Sequence, residues 1–240
     1  MANQWFRCKQ FMIRQDQCAM KVGTDGVILG AWTAVEGASL ALDIGTGTGL
    51  LALMLAQRSP GLMIDAIEID PAAREQAAGN VKDSVFAGRI RVLQADFRCF
   101  QPANGTSYDL VICNPPYFNR AFKASGAGRT LARHADALDL GGIFSRADQM
   151  VSEKGRISII IPSDQVPGAL KIAGKQGFYP ERILEVHPVP GAAPKRHCLE
   201  FTRSSSSPRV CSLVIEEHGR HGYSDAYREL TKDFYLFKDC

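Results

Sequence analysis

The chain lacks any long apolar run. Nowhere do roughly 18 apolar residues follow one another, so no membrane-spanning helix is expected. The opening residues, Met1 to Arg7, contain no apolar stretch of the kind a secretory signal needs. Cysteine is present seven times but never as C-x-x-C. An odd, scattered set predicts reduced, mostly buried thiols in a cytoplasmic protein. It gives no basis for a disulfide framework or a metal site. Charge of one sign is also not in excess. With 28 Lys and Arg against 25 Asp and Glu, the net charge is +3. That is too little to make the whole chain a polyanion binder, though it permits a local basic face. No segment repeats.

The chain does have enough apolar material for a full core: 45% of its 240 residues are hydrophobic and 22% charged, so global disorder is excluded. One α/β domain is expected, with an N-terminal segment and helix over 1–39, a core over 40–203 and a packing extension over 204–240. A monomer is favoured.

The stretch with the sharpest chemical content is Asn114-Pro115-Pro116-Tyr117. It ends the apolar, β-branched run Tyr108 to Cys113, which predicts a buried strand. The prolines stop that strand and hold Asn114 extended. A primary amide is thus delivered to a rigid loop at the carboxyl end of a strand, where open α/β sheets bind ligands. The Asn114 side-chain carbonyl and the Pro115 main-chain carbonyl can each accept one hydrogen of an aryl or amide NH2. Two acceptors on one side favour a pyramidal nitrogen with its lone pair exposed. Tyr117 offers a flat face for a base, and such stacking is worth roughly 1–3 kcal/mol.

Upstream, Leu40 to Ile44 is a short apolar strand that runs into Gly45-Thr46-Gly47-Thr48-Gly49, and Leu50 to Gln57 then reads as a helix. Glycines let a ligand approach the backbone, and the helix start supplies free N–H groups. The spacing is G-x-G-x-G, not the dinucleotide G-x-G-x-x-G, and no G-K-[ST] follows to cradle phosphates. Asp43 at the strand end suits a cationic amine better than a pyrophosphate. S-adenosylmethionine offers such an amine and carries no phosphate. A second strand, Met63 to Ile67, leads to Glu68, about 20 residues past the loop, where a carboxylate typically accepts ribose hydroxyls. Asp70 is expected to cap a helix that begins at Pro71 and runs to about Ser84. A third strand, Arg89 to Leu93, is followed by Asp96, placed either to reach a cofactor's adenine amino group or to serve as a turn residue.

Elsewhere, Val22 to Trp32 predicts a helix from about Gly26, capped by Thr24 or Asp25. Phe118 to Ala137 is polar and basic, a loop whose Lys123, Arg129 and Arg133 are candidate substrate contacts. A helix is expected over Leu138–Val151, stopped by Glu153-Lys154-Gly155-Arg156, then a strand over Ile157–Ile161. Ser163 or Asp164 is expected to cap a helix to about Lys175. Arg182–Val189 and His197–Arg203 predict a terminal hairpin whose loop carries Lys195 and Arg196, candidate phosphate contacts. Val210–Glu216 is a further strand, and the aromatic tail from Tyr223 is expected to pack. Strands alternating with helices predict a mostly parallel sheet covered on both faces.

In this order, Asp43-Ile-Gly-Thr-Gly-Thr-Gly49, Glu68, Asp96 and Asn114-Pro-Pro-Tyr117 resemble class I S-adenosylmethionine-dependent methyltransferases acting on planar nitrogens. Four further stretches are similar to the bacterial tRNA (adenine-N6)-methyltransferases that modify the adenine 3′ of the anticodon of a valine tRNA. They are Val22 to Trp32, Ala132-Arg-His134, Pro194-Lys-Arg196 with Leu199-Glu-Phe201, and Leu230 to Leu236. The resemblance implies a Rossmann-like sheet of seven strands with a C-terminal antiparallel hairpin. It implies cofactor binding by Asp43, Gly45, Thr46, Gly47, Gly49, Glu68, Asp96 and Asn114, and a product S-adenosylhomocysteine. It further implies that Asn114 and Pro115 hold the target amine, that Tyr117 stacks on the base beside Pro116, and that an anticodon loop is the partner. The tetrapeptide alone leaves guanine N2 of ribosomal RNA and protein glutamine open as targets. A binding module that keeps only the shape of the fold is the non-enzymatic alternative.

Overall fold

The computed structural model describes residues 3–18, 20–115 and 140–237. A short antiparallel hairpin, β1 (Trp5–Arg7) and β2 (Met12–Arg14), opens it. There follow α1 (Thr24–Trp32), β3 (Leu40–Ile44), α2 (Leu50–Arg58), β4 (Met63–Glu68), α3 (Pro71–Lys82), β5 (Ile90–Gln94) and β6 (Tyr108–Cys113). The second half contains α4 (Leu140–Asp148), β7 (Val151–Pro162), α5 (Val166–Lys175), β8 (Tyr179–His187), β9 (Arg196–Thr202), β10 (Arg209–Val214) and α6 (Asp225–Thr231).

Eight strands form one sheet in the order β10-β8-β9-β7-β6-β3-β4-β5. All neighbours are parallel except β9, which runs against both β7 and β8. This is the expected Rossmann-like architecture with its late antiparallel element, but it has eight strands rather than seven. The extra one is β10: it leaves the hairpin, crosses over, and pairs in parallel with β8, Arg209 opposite Arg182.

Side chains alternate across the sheet as the two-residue period requires. Ala41 joins the core under α1 and α2, while Leu42 and Ile44 face the core under α4 and α5. The α1–α2 crossing is close because α1 presents glycine at i and i+4. A Cβ on Gly26 would stand 2.9 Å from Leu50 Cδ2, and one on Gly30 2.7 Å from Met54 Sδ. The N-terminal hairpin lies over this core, with Phe11 and Ile13 buried in it, as does the tail through Tyr227 and Phe234.

Several boundaries differ from expectation for physical reasons. Helix α1 starts at Thr24, with Gly23 at its cap and no side-chain capping bond, so Thr24 and Asp25 lie inside its first turn. Asp70 caps α3 as expected, accepting from Ala73 N at 2.9 Å with Pro71 at the first position. Ser163 caps nothing: its hydroxyl donates to Pro194 O at 2.6 Å, and α5 begins at Val166 after a tight 3-10 turn. Residues 153–156 do not stop a helix. They are part of β7, which pairs with β6 across an irregularity between Tyr108 and Leu110. Gly155 sits where a Cβ would lie 2.8 Å from Tyr108 O.

Candidate functional site

The strand register assembles the site. Ile44 of β3 is paired with Cys113 of β6 on one side and with Ile67 of β4 on the other. Asn114, the glycine loop and Glu68 therefore leave three adjacent parallel strands at the same, carboxyl edge. Asp96 follows β5, the next strand in the row. The chain winds one way from β3 to β5 and the other way from β6 to β7, so Asn114 and the glycine loop flank the topological switch point.

The loop is shaped by three left-handed glycines, Gly45, Gly47 and Gly49, with φ of 68°, 56° and 83°. Among the described residues, nothing lies within 4 Å of where a Cβ on Gly45 would be. Asp43, fully buried, organises the loop from beneath. Its Oδ2 accepts from the Thr46 hydroxyl at 2.6 Å and from Ala52 N, in the first turn of α2, at 3.2 Å. Its Oδ1 is buried with no hydrogen-bond partner among the described residues. Burial pushes this carboxyl up to about 7, against the pull of those two bonds. Such a group is poised to meet a positive charge, and it can act through its field without being touched.

Glu68 is held by three backbone donors. Oε1 accepts from Ile69 N at 2.9 Å and Asp70 N at 3.0 Å, and Oε2 from Gly47 N at 2.9 Å. A carboxylate offers about four lone-pair sites, so one remains, on Oε2. The same carboxylate thus ties β4 to the glycine loop and keeps capacity for one ligand hydroxyl. Engaging two would require Gly47 N–H to let go. Among the described residues, the donor set fits a cationic nucleoside without phosphate: a buried carboxyl oxygen with no partner, a second carboxylate and a glycine turn with left-handed backbone.

Asp96 stands in the row but its carboxylate is turned onto Arg98, with Nη2–Oδ2 at 2.6 Å. This contact holds its carboxyl below the usual range. A cofactor amino group at Asp96 would have to replace one of these bonds. Asn114 is half-buried and Pro115 buried. Behind Asn114 stands the start of α1, where the position of a Cβ on Gly26 lies 3.8 Å from Asn114 Nδ2. Cys113 is buried and its thiol is pushed far up by burial, which makes it an inert wall rather than a nucleophile.

Pro116, Tyr117, Lys123, Arg129 and Arg133 lie outside the described residues. Lys195 is exposed. Arg196 is engaged within the protein: its Nε donates to Asp25 Oδ2 at 2.8 Å and its Nη1 to Lys195 O at 3.0 Å. Arg196, expected as a phosphate contact, forms an ion pair with Asp25 in this structure.

Two residues were missed in the sequence. Asn80 Nδ2 donates to Thr48 O in the glycine loop and to Arg14 O in the N-terminal segment, both at 2.9 Å. Gln76 Oε1 accepts from Cys18 N at 2.9 Å. Both are buried polar groups on the Ala73–Ala77–Val81 face of α3, and polar residues at i and i+4 on an apolar face were the available signal.

The methyltransferase small domain family matches residues 34–165, the stretch that carries the glycine loop, Glu68 and Asn114. Fold and family together define a Rossmann-like methyltransferase. Among solved structures, a predicted O-methyltransferase from Agrobacterium tumefaciens shares the fold, with a TM-score of 0.65 at 22% identity over 88% of this chain and 96% of that one. The tRNA1(Val) (adenine(37)-N6)-methyltransferases of Bacteroides fragilis and Parabacteroides distasonis are 45% and 42% identical to it, each over 98% of this chain and 99% of the relative. The chain belongs to the family these relatives represent.

Proposed function

We propose that the protein transfers the methyl group of S-adenosylmethionine to the exocyclic N6 of an adenine in tRNA, namely adenine 37 of a valine tRNA, the target carried in its relatives' names. The observation that supports this reading is the Ile44–Cys113 register, which brings Asn114 and Pro115 to the same sheet edge as the glycine loop.

The cofactor supplies a methyl group on a sulfonium. Asp43 meets the ligand's positive charge through its field, and Glu68 accepts a ribose hydroxyl on its remaining lone pair. Asn114 Oδ1 and the Pro115 carbonyl accept the two N6 hydrogens and aim the nitrogen lone pair at the methyl carbon. With the cofactor bound, its sulfonium would supply the methyl group and take back the C–S pair, and the proton lost from N6 would leave to water past Asn114. No strong base is needed. Positioning is the main contribution, and well-aligned reactants gain up to about 7–11 kcal/mol from it. The base must leave its stack, which an anticodon loop makes less costly than a duplex. Tyr117, Lys123, Arg129 and Arg133, which lie outside the described residues, are assigned with Lys195 to contact the RNA. The protein acts in the cytoplasm as a monomer.

The test is to incubate the protein with labelled S-adenosylmethionine and, in parallel reactions, total tRNA, ribosomal RNA or total cell protein, then digest each to nucleosides or amino acids and separate them. N6-methyladenosine is expected. Label in N2-methylguanosine of ribosomal RNA, in protein glutamine, or nowhere would overturn the reading. Asn114→Ala should abolish turnover while leaving cofactor affinity within about twofold.

A further inference from the structure

The first turn of α1 stands beside the Asn114 amide. Gly26 lies in that turn, and a Cβ built on it would stand 3.8 Å from Asn114 Nδ2. It follows Asp25, whose Oδ2 accepts from Arg196 Nε at 2.8 Å. Arg196 opens β9, and the loop before it is anchored twice to the end of β7: Ser163 Oγ donates to Pro194 O at 2.6 Å and Ser163 N to Lys195 O at 3.3 Å. Lys195 N in turn donates to Val186 O of β8 at 2.9 Å. A continuous set of bonds therefore runs from the sheet beside the switch point, through Arg196 and Asp25, to the helix turn that backs Asn114.

We infer that the Arg196–Asp25 pair is a positioning latch for methyl transfer: it fixes the start of α1 against Asn114 and so sets the direction of the acceptor amide, rather than binding RNA phosphate. The inference rests on the reading that Asn114 holds the target amine. The pair is suited to aim rather than to bulk stability. Arg196 is 34% exposed and Asp25 27%, and ion pairs in such positions add little to folding. A planar guanidinium also fixes direction better than an ammonium does. Small displacements at a reacting centre, of about 1 Å, can cost 100-fold in rate.

The test uses the full chain with tRNA and compares Arg196→Gln, Asp25→Asn, the double variant and Arg196→Lys, with Asn114→Ala alongside. For a latch, R196Q and D25N each lower kcat by tenfold or more, with KM for tRNA within twofold. The double variant is no slower than either single one, R196K recovers part of the rate, and thermal melts move little. The salt dependence of KM for tRNA stays as in the wild type. A phosphate contact behaves differently. R196Q then raises KM and flattens the log–log salt slope by about 0.7–0.9, while D25N releases the arginine and lowers KM. That outcome, or full activity of R196Q, overturns the latch. If R196Q melts far below the wild type, R196K and D25N decide by the same kcat, KM and slope criteria. An active N114A would instead bring down the underlying functional reading, whatever Arg196 does.

Discussion

Replacing Asp43 by Asn tests the electrostatics of the proposed cofactor cradle directly. The amide keeps an acceptor for the Thr46 hydroxyl and Ala52 N–H but removes the charge. In the native protein burial pushes the carboxyl up to about 7, against 3.8 for an exposed aspartate. Between those values the native state holds a proton that the unfolded chain has released. Stability must therefore fall as pH rises across that window, with the contribution fully present below 3.8 and lost through about 7. Integrated from pH 5 to pH 8, this one group removes about 2.5 kcal/mol. Urea denaturation of wild type and D43N at both pH values isolates the effect, because every other titrating group cancels in the difference. The variant should gain about 2.5 kcal/mol on the wild type between pH 5 and pH 8. Calorimetry of S-adenosylhomocysteine binding supplies the second arm. A cation arriving at the loop drives the carboxyl to ionise, so at pH 6 to 6.5 the wild type should release most of one proton on binding. D43N should release none and bind more weakly. Parallel stability differences at the two pH values, with no proton release, would refute the argument.

Three further perturbations probe the frame that carries the site. Glu200 is 1% exposed and accepts from Arg182 Nη1 at 3.2 Å, Ser158 Oγ at 3.0 Å and Ala34 N at 3.1 Å. Arg182→Met should cost about 3–5 kcal/mol by leaving that carboxylate without its counter-charge, and adding Glu200→Gln should recover part of the loss in thermal denaturation. Gly155→Ala drives a Cβ toward the Tyr108 carbonyl and should cost about 1–3 kcal/mol in urea, because backbone cannot swing aside. Asn80→Ala removes the bonds to Thr48 O and Arg14 O. It should weaken cofactor binding several-fold and speed amide exchange in both residues 12–18 and the glycine loop. Exchange unchanged in the N-terminal segment would show that Asn80 does not couple the two.

Motifs at strand ends were readable because local chemistry decides them. Asp70-Pro71 announces a helix start whatever surrounds it, and Asp43, Glu68 and Asn114 each follow an apolar run too short for a helix. Their alignment then follows from parallel pairing. The misread segment, 153–156, is polar with a glycine and so looks like a helix end. What makes it strand is the pairing of its flanks with β6, Val151 opposite Tyr108 and Arg156 opposite Leu110, and the need for glycine comes from a carbonyl 47 residues away in the chain. Arg196 shows the same limit. Beside Lys195 it reads as a phosphate contact, but its partner, Asp25, lies 171 residues earlier. The fate of a long polar side chain depends on what folding brings to it, and periodicity carries no record of that.

The reversed strand has a consequence for how the chain is made. As the polypeptide emerges from the ribosome, β7 and β8 are complete by residue 187, yet they are not neighbours: β9 must enter between them, bonded to both. Until residue 202 is out, the edge of β7 offers unpaired amides and carbonyls to any other strand nearby, as does the inner edge of β8. A nascent chain stalled near residue 190 should therefore be a strong client for chaperones, and one that has cleared residue 202 a much weaker one.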